Sequence, residues 1–197
     1  LGTVYLGQMP ESKQTTLSTQ LTELVRATLS AWTGRVPRLV FVTDKGSAPD
    51  AYYHQVLTTM RHPRDHKPLE WEWVLDFYHV ACYISKMADA LFGAGTRESH
   101  AWFAKMRRWL RDRRQGVSQV LRSAMQHRNR RQQLMTETSE FGKAYRYLRR
   151  HSQYMDYVGY RRQGLPIGSG VTEAACKTVF AQRFKRSGMR WDGEMGQ

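Results

Sequence analysis

Hydrophobic and polar positions follow two different periods along the first 92 residues. Apolar residues spaced three and four apart predict amphipathic helices, whereas continuous runs of strand-forming residues predict strands. The predicted helices cover residues 16–32, 48–60 and 80–92, and the predicted strands cover 3–6, 39–43 and 71–77. Alternation of strands with helices is typical of an α/β architecture. The unbroken run at 39–43 further predicts a strand buried on both faces, as in a parallel sheet covered by helices.

The strand pattern disappears between residues 98 and about 160. Trp102, Met106 and Leu110 form one helical stripe, and a second stripe begins at Val117. Residues 140–160 predict one further helix, rich in tyrosine and arginine. We therefore expect an all-helical segment after the α/β part.

Residues 164–170 predict a tight loop that opens a helix carrying Glu173. Three glycines and a proline within seven residues exclude regular structure there, and Ala174-Ala-Cys-Lys177 then favours helix. Two interpretations of Glu173 stay open. The helix dipole favours a carboxylate in the first turn of any helix. Alternatively, the loop brings backbone close to a ligand while Glu173 binds a divalent metal.

Positive charge is concentrated in the second half of the chain. The formal net charge is +14, and residues 1–100 contribute 10 Lys/Arg and 10 Asp/Glu, which cancel. Residues 101–197 hold 21 Lys/Arg against 7 Asp/Glu. Such one-sided charge indicates a polyanion partner, nucleic acid before membrane, although a merely solvated basic surface is the simpler alternative.

Three carboxylates lie where a predicted strand ends or a predicted helix begins. Asp44 follows one predicted strand, Asp76 lies near the end of another, and Glu173 begins a later helix. Ligands bind at the carboxyl edge of open α/β sheets, and carboxylates gathered there suit hard divalent cations. The spacing alone is weak support, because any α/β protein carries acids at strand ends.

Other kinds of site have less support in the sequence. Cys82 and Cys176 lack metal-ligand spacing and indicate thiols in a reducing compartment. The histidines show no zinc spacing, and Gly-rich phosphate-binding signatures are absent. No apolar run reaches membrane-spanning length, so we expect no membrane partner.

Several motifs together resemble a known family. They are Val74-Leu-Asp-Phe-Tyr-His79, Gly164-Leu-Pro-Ile-Gly-Ser-Gly-Val-Thr-Glu-Ala-Ala-Cys-Lys177, Gln182-Arg-Phe-Lys-Arg-Ser-Gly-Met-Arg-Trp191, Tyr5-Leu-Gly7 and Thr43-Asp-Lys-Gly46. This set, spread over essentially the whole chain, strongly resembles bacterial insertion-sequence transposases of the Kra type, relatives of the Mutator-like DDE transposases.

The resemblance implies a fold and a reaction. The family has an RNase H-like core whose carboxylates bind two Mg²⁺ (or Mn²⁺) ions, cuts DNA at transposon ends, and joins the freed 3′-OH to target DNA. Asp44 matches the second acidic residue and Glu173 the final one. Asp76 and His79 match an Asp-x-x-His signature that supports the site. A triad of Asp44, Asp76 and Glu173 is the second-ranked alternative.

The resemblance also divides the chain. We expect a first part of the core at 1–84, which lacks its first strand or strands, a basic helical insertion at 85–165, and completion of the core at 166–197. The family's first Asp would precede Leu1, so we expect a fragment, and the loss of this metal ligand should lower catalysis by this chain alone by orders of magnitude. Where the family has Asp-Gly-Ala after its fourth strand, this chain has Asp44-Lys45-Gly46.

The expected partner is double-stranded DNA, both transposon ends and target, bound by a homodimer or higher multimer in a bacterial cytoplasm, associated with the nucleoid. The expected DNA-binding residues are Lys105, Arg107, Arg108, Arg111, Arg113, Arg114, Lys177, Arg183, Lys185, Arg186 and Arg190. Two alternatives remain: a catalytically inactive DNA-binding remnant of a decayed element, and a basic RNA-binding or structural module.

Overall fold

The computed structural model describes residues 15–130 and 138–168 of the 197-residue chain. The helices are α1 (Thr15–Ala31), α2 (Ser47–Tyr52), α3 (Phe77–Phe92), α4 (Arg97–Asp112), α5 (Gly116–Arg130), α6 (Glu140–Arg150) and α7 (Tyr157–Arg162), and the strands are β1 (Leu39–Thr43) and β2 (Trp71–Leu75). A π-helical turn over Tyr53–Leu57 continues α2, and a 3-10 turn covers Ser152–Tyr154. The chain is therefore α/β, mostly helical with a small parallel sheet, as the alternation predicts. The strand predicted at 3–6 lies outside the described residues.

The chain divides into two compact units. Of the described residues, the first unit holds 15–39 and 45–72. Its helix α1 matches the predicted helix and buries Leu29, and the hydroxyls of Thr22 and Tyr52 lie 2.9 Å apart. The predicted helix at 48–60 is confirmed as α2 with its π-helical continuation.

Of the described residues, the second unit holds 40–44, 73–130 and 138–168, and α3 lies at its centre. Helix α3 packs against both α4 and α6, while α5 packs against α4 and α6 in turn. Buried side chains follow α3 at helical spacing, and each neighbouring helix adds its own stripe. The core includes Val74, Leu75, Val80, Ile84, Met87, Leu91, Trp102, Met106, Leu110, Val117, Val120, Phe141, Leu148 and Tyr157. The stripes at Trp102 and Val117 are thus core, as their spacing predicts.

The expectation that β1 is buried on both faces is wrong. All five residues of β1 are partly exposed, whereas Trp73, Val74 and Leu75 of β2 are buried. Within the described part of the chain the sheet has two strands, so β1 has one hydrogen-bonded neighbour there. An apolar run therefore predicts that a segment forms a strand more reliably than it predicts how many faces of that strand are buried.

Strand β2 ends at Leu75, two residues before the predicted end. Asp76 leaves the strand and its carboxylate caps α3, so the helix begins at Phe77 rather than at residue 80. Capping by a carboxylate satisfies N–H groups that would otherwise lack a partner in the first turn.

The single helix predicted over 140–160 is in fact two helices. After α6 the chain makes a 3-10 turn, and α7 starts where Asp156 accepts a 3.2 Å hydrogen bond from the Gly159 N–H. The absence of strands between residues 98 and 160 is confirmed for the described residues. None of the described helices is long and apolar enough to cross a membrane.

Candidate functional site at the strand ends

The two strands end side by side. The Asp76 N–H donates a 2.8 Å hydrogen bond to the Thr43 carbonyl, and the strands run parallel. Asp44 and Asp76 therefore follow neighbouring strands at the same carboxyl edge of the sheet. This is the edge at which the sequence predicts a site.

Asp76 is a buried helix cap. Its Oδ1 accepts hydrogen bonds of 2.7 Å from the Tyr78 N–H and 3.1 Å from the His79 N–H. The carboxylate thereby fixes the first turn of α3, which carries both Tyr78 and His79. A buried carboxylate with these partners has a structural function whatever else it contacts.

The glycine-proline loop returns to this same turn. The Phe77 N–H donates a 2.8 Å hydrogen bond to the Ile167 carbonyl. A Cβ placed on Gly168 would lie 2.8 Å from Cδ2 of Tyr78 and 3.7 Å from Oδ1 of Asp76. Main chain thus passes directly over Asp76 and Tyr78, an approach that only glycine permits. Glu173, five positions further along, lies outside the described residues.

The backbone of Asp44 is held by a residue of the helical segment that is distant in the sequence. The hydroxyl of Tyr147, on α6, donates a 2.7 Å hydrogen bond to the backbone carbonyl of Asp44. Burial raises the pKa of the Tyr147 hydroxyl, and neighbouring Tyr83 (when ionised), Asp44 and Asp76 raise it further through their negative charge. Tyr147 therefore stays protonated and able to donate. Tyr147 could not be predicted from the sequence, because nothing in its local pattern links it to Asp44.

His79 belongs to an aromatic cluster formed with Tyr83, Tyr147 and His151. The rings of Tyr83 and Tyr147 stack with centroids 4.0 Å apart, and the His79 ring lies edge-on to Tyr83 at 5.3 Å. His151 contacts Tyr147 edge-on at 4.9 Å. The ring of His79 thus packs against the tyrosine that holds Asp44, so the predicted Asp-x-x-His pair connects both carboxylate positions.

The basic residues of α4 fall into two groups. Lys105 and Arg113 lie over the Trp109 ring, with Nζ at 4.9 Å and the guanidinium carbon at 4.1 Å from its centroid. Arg107 lies over the buried Phe77 ring at 5.9 Å, which places its cation beside the first turn of α3. The candidate site and one group of cations are therefore adjacent.

Arg111 extends this second group. It forms two 2.9 Å hydrogen bonds to Asp112, which also accepts one of 2.8 Å from Arg161. The pKa of the Asp112 carboxyl is lowered, chiefly by its hydrogen bond to Arg111. Two arginines share one carboxylate, so one positive charge is left uncompensated within this triad. Arg108 and Arg114 are exposed, whereas Lys177, Arg183, Lys185, Arg186 and Arg190 lie outside the described residues.

The described residues do not by themselves supply a complete metal site. No group of three His, Cys, Asp or Glu side chains among them is arranged to hold a metal ion. Asp44 and Asp76 provide the oxygen chemistry that Mg²⁺ prefers. One oxygen of Asp76 already accepts two N–H groups, which favours Asp76 as a supporting residue. A third ligand would have to come from another part of the chain, and Glu173 is the candidate.

Comparisons with protein-family models, with curated proteins and with solved structures found no match. Function must therefore be inferred from the residues and their arrangement.

Proposed function

We propose that this chain is the catalytic domain of a DDE transposase with an RNase H-like core, which cuts DNA at transposon ends and transfers the freed strand to a target. The observation that carries the proposal is the convergence of Asp44, Asp76 and the Gly168 loop at one edge of a parallel sheet. Three of the motifs that resemble such transposases contribute the described residues of this edge: 43–46, 74–79 and the described part, 164–168, of the glycine-proline motif.

The conformation of Lys45 supports the same family. Its φ is 61°, in the left-handed region that favours glycine. The family's motif has glycine at this position, directly after the second acidic residue. A backbone built for glycine is thus retained although the side chain has changed to lysine.

Each residue at the edge has a distinct task in this proposal. Asp44 and Glu173 would hold the divalent cations, which stabilise the charge on the attacking and leaving oxygens of the phosphate. Asp76 holds the first turn of α3, and Tyr147 holds the main chain at Asp44. Fixed side-chain positions matter because small displacements of catalytic groups greatly slow phosphoryl transfer.

Arg107 and Arg111, in the C-terminal half of α4, supply the substrate affinity. Arg107 lies over the ring of Phe77, the residue that follows Asp76, and Arg111 lies one turn further along α4. Neutralisation of phosphates by such residues releases counterions and supplies most of the sequence-independent binding to DNA. DNA held by α4 would present a phosphate to the carboxylate edge.

One observation favours a second candidate, a DNA-binding remnant without catalysis. Among the described residues the ligand set is incomplete, and Asp76 is engaged as a helix cap. Such a remnant would bind duplex DNA through the same cations but would not cut it.

Strand cleavage with Mg²⁺ or Mn²⁺ tests the proposal. The 197-residue chain is compared with one extended before Leu1, because the resemblance places the first Asp there. Asp44→Asn and Glu173→Gln should each reduce cleavage at least a hundredfold, about 2.7 kcal/mol of barrier, while DNA binding persists. Glu98→Gln, in the exposed first turn of α4, is the matched control. Cleavage that survives both site variants, or DNA binding without cleavage in either chain, would overturn the catalytic assignment.

A further inference from the structure

Tyr78 stands out among the described residues as the exposed large apolar side chain, with 44% of its surface accessible. It lies in the first turn of α3, but outside the buried stripe of Phe77, Val80, Ala81 and Ile84. The solvent-facing part of this aromatic ring adds nothing to the core. Its position directly beside Asp76 therefore calls for a functional explanation.

The ring is exposed but held in place. It meets the Phe77 ring edge-on at a centroid distance of 5.6 Å, and main chain at Gly168 passes against its Cδ2 edge. Its own backbone N–H is bound to Asp76 at 2.7 Å. A ring packed on two sides, on a backbone anchored by Asp76, loses little conformational entropy when a ligand stacks on it.

Positive charge flanks the ring. The hydrogen bonds to Asp112 raise the pKa of the Arg111 guanidinium most, and the Tyr78 hydroxyl raises it slightly further when ionised. Arg107 lies over the adjacent Phe77. An aromatic face beside arginines is the arrangement by which proteins hold nucleotides: the ring stacks on the base and the cations contact the phosphate.

We propose that Tyr78 is a stacking platform for one unpaired nucleobase next to the phosphate that is cut, with Arg107 and Arg111 on the adjoining phosphates. The inference rests on the proposed function and specifies how its substrate is held. The occupant must be unpaired, because both faces of a base inside a duplex are covered by its neighbours. The candidate cleavage site therefore takes a frayed or flipped nucleotide, at an unstacking cost that the platform offsets.

Oligonucleotides with 2-aminopurine placed at each position of a forked duplex test this inference. Stacking quenches 2-aminopurine fluorescence, so wild type and Tyr78→Phe should quench it at one or two adjacent positions. Tyr78→Leu keeps an apolar side chain of similar size but cannot stack as a ring. It should lose that quenching and weaken binding of the forked DNA about five- to hundredfold. Fully paired duplex should bind nearly equally well to all three proteins.

The outcomes separate this inference from the proposed function. Unchanged quenching in Tyr78→Leu, with cleavage still dependent on Asp44, would overturn the platform alone. Failure of wild type to bind any DNA would overturn both proposals. Arg107→Gln should weaken binding without moving the quenched position, and Arg97→Gln, at the far end of α4, should change neither. Movement of the quenched position in Arg107→Gln would contradict the division of tasks between ring and cations. Urea unfolding of each variant verifies that the fold is retained.

Discussion

The hydroxyl of Tyr147 donates a 2.7 Å hydrogen bond to the backbone carbonyl of Asp44, across a sequence separation of 103 residues. Tyr147 belongs to α6, in the helical segment, whereas Asp44 ends a strand of the sheet. The helical segment is therefore part of the structure that holds the candidate catalytic residue in place. Removing it would leave Asp44 without this support.

Tyr147→Phe deletes the donor and keeps the ring stacked on Tyr83. We expect a loss of about 0.5–1.5 kcal/mol in the free energy of unfolding, the usual net value of one hydrogen bond. The cleavage rate should fall more than DNA affinity, because Asp44 moves while the cations of α4 do not. Urea unfolding and single-turnover cleavage measure the two effects. Tyr145→Phe, on the same helix with its ring stacked on Phe141, is the control and should change neither quantity appreciably.

Substitution of Asp76 separates its cap from any direct role in chemistry. Asparagine caps helices about as well as aspartate, so Asp76→Asn should keep the free energy of unfolding within about 0.5 kcal/mol. Asp76→Ala should lose about 0.5–2 kcal/mol or more, since it also leaves the first-turn N–H groups unpaired. If Asp76 only supports the site, Asp76→Asn keeps most of the cleavage activity. Stable but inactive Asp76→Asn would instead make the carboxylate a ligand and favour the triad of Asp44, Asp76 and Glu173.

Helices and strands could be predicted from the sequence where a single hydrophobic period, helical or strand-like, dominates. Helix α1 and strand β1 were found to within one residue, because each contains an uninterrupted stripe or run of apolar residues. The end of β2 was missed because Asp76 interrupts an apolar stretch that continues through Phe77. A capping carboxylate and a strand residue look alike in sequence until the partner N–H groups are known.

Gly168→Ala tests how closely the loop approaches Tyr78. The added methyl group would meet the Tyr78 ring at 2.8–2.9 Å, below any normal contact distance. We expect a loss of about 1–2 kcal/mol in stability, within the usual range for overpacking. The loss should largely disappear when Tyr78→Ala is combined with it, giving a coupling that a double-mutant cycle in urea measures. If the stability losses of Gly168→Ala and Tyr78→Ala are strictly additive, the loop does not contact Tyr78.

Tyr157→Phe removes a hydroxyl that is buried and has no hydrogen-bond partner within the described part of the chain. Because an unsatisfied buried hydroxyl is unfavourable, the variant should be as stable as wild type or more stable by up to about 2 kcal/mol. A destabilised Tyr157→Phe protein would show that the hydroxyl does have a partner.

Alkaline pH provides a separate test of the same residue. Burial raises the pKa of Tyr157 above its ordinary value, so above about pH 10 the folded state binds more protons than the unfolded state. Stability must therefore fall as pH rises through that range. The fall between about pH 9 and about pH 11 should be steeper in wild type than in Tyr157→Phe. Urea midpoints measured over this range give the comparison.

The salt dependence of DNA binding measures which cations contact phosphate. Replacing Arg107 or Arg111 by Gln should reduce the slope of log affinity against log salt by about 0.9 for each lost contact with duplex DNA. Arg97→Gln should leave the slope unchanged. Equal slopes for all variants would make the arginines of α4 a solvated surface rather than a binding site.

Contacts between segments that are distant along the chain could not be predicted from the sequence. The motifs predicted that Asp44 and Asp76 would share an edge, and the parallel strands place them there. Three features depend instead on three-dimensional packing: the hydrogen bond from Tyr147, the cation of Arg107 over Phe77, and the division of residues 140–160 into two helices. No spacing along the chain encodes such pairings, because helix and strand periods describe only local neighbours.

The hydrogen bond from the Phe77 N–H to the Ile167 carbonyl has a consequence for the order of assembly during synthesis. It closes a chain segment of about 90 residues, and contacts of such long range form only after the entropy of closure has been offset by other packing. Ribosomes release a chain from its N-terminus, so Asp44 and Asp76 emerge well before Tyr147 and Ile167. A nascent chain therefore carries Asp44 and Asp76 without the hydrogen bonds that fix the backbone around them. Assembly of the site waits until the whole helical segment has left the ribosome.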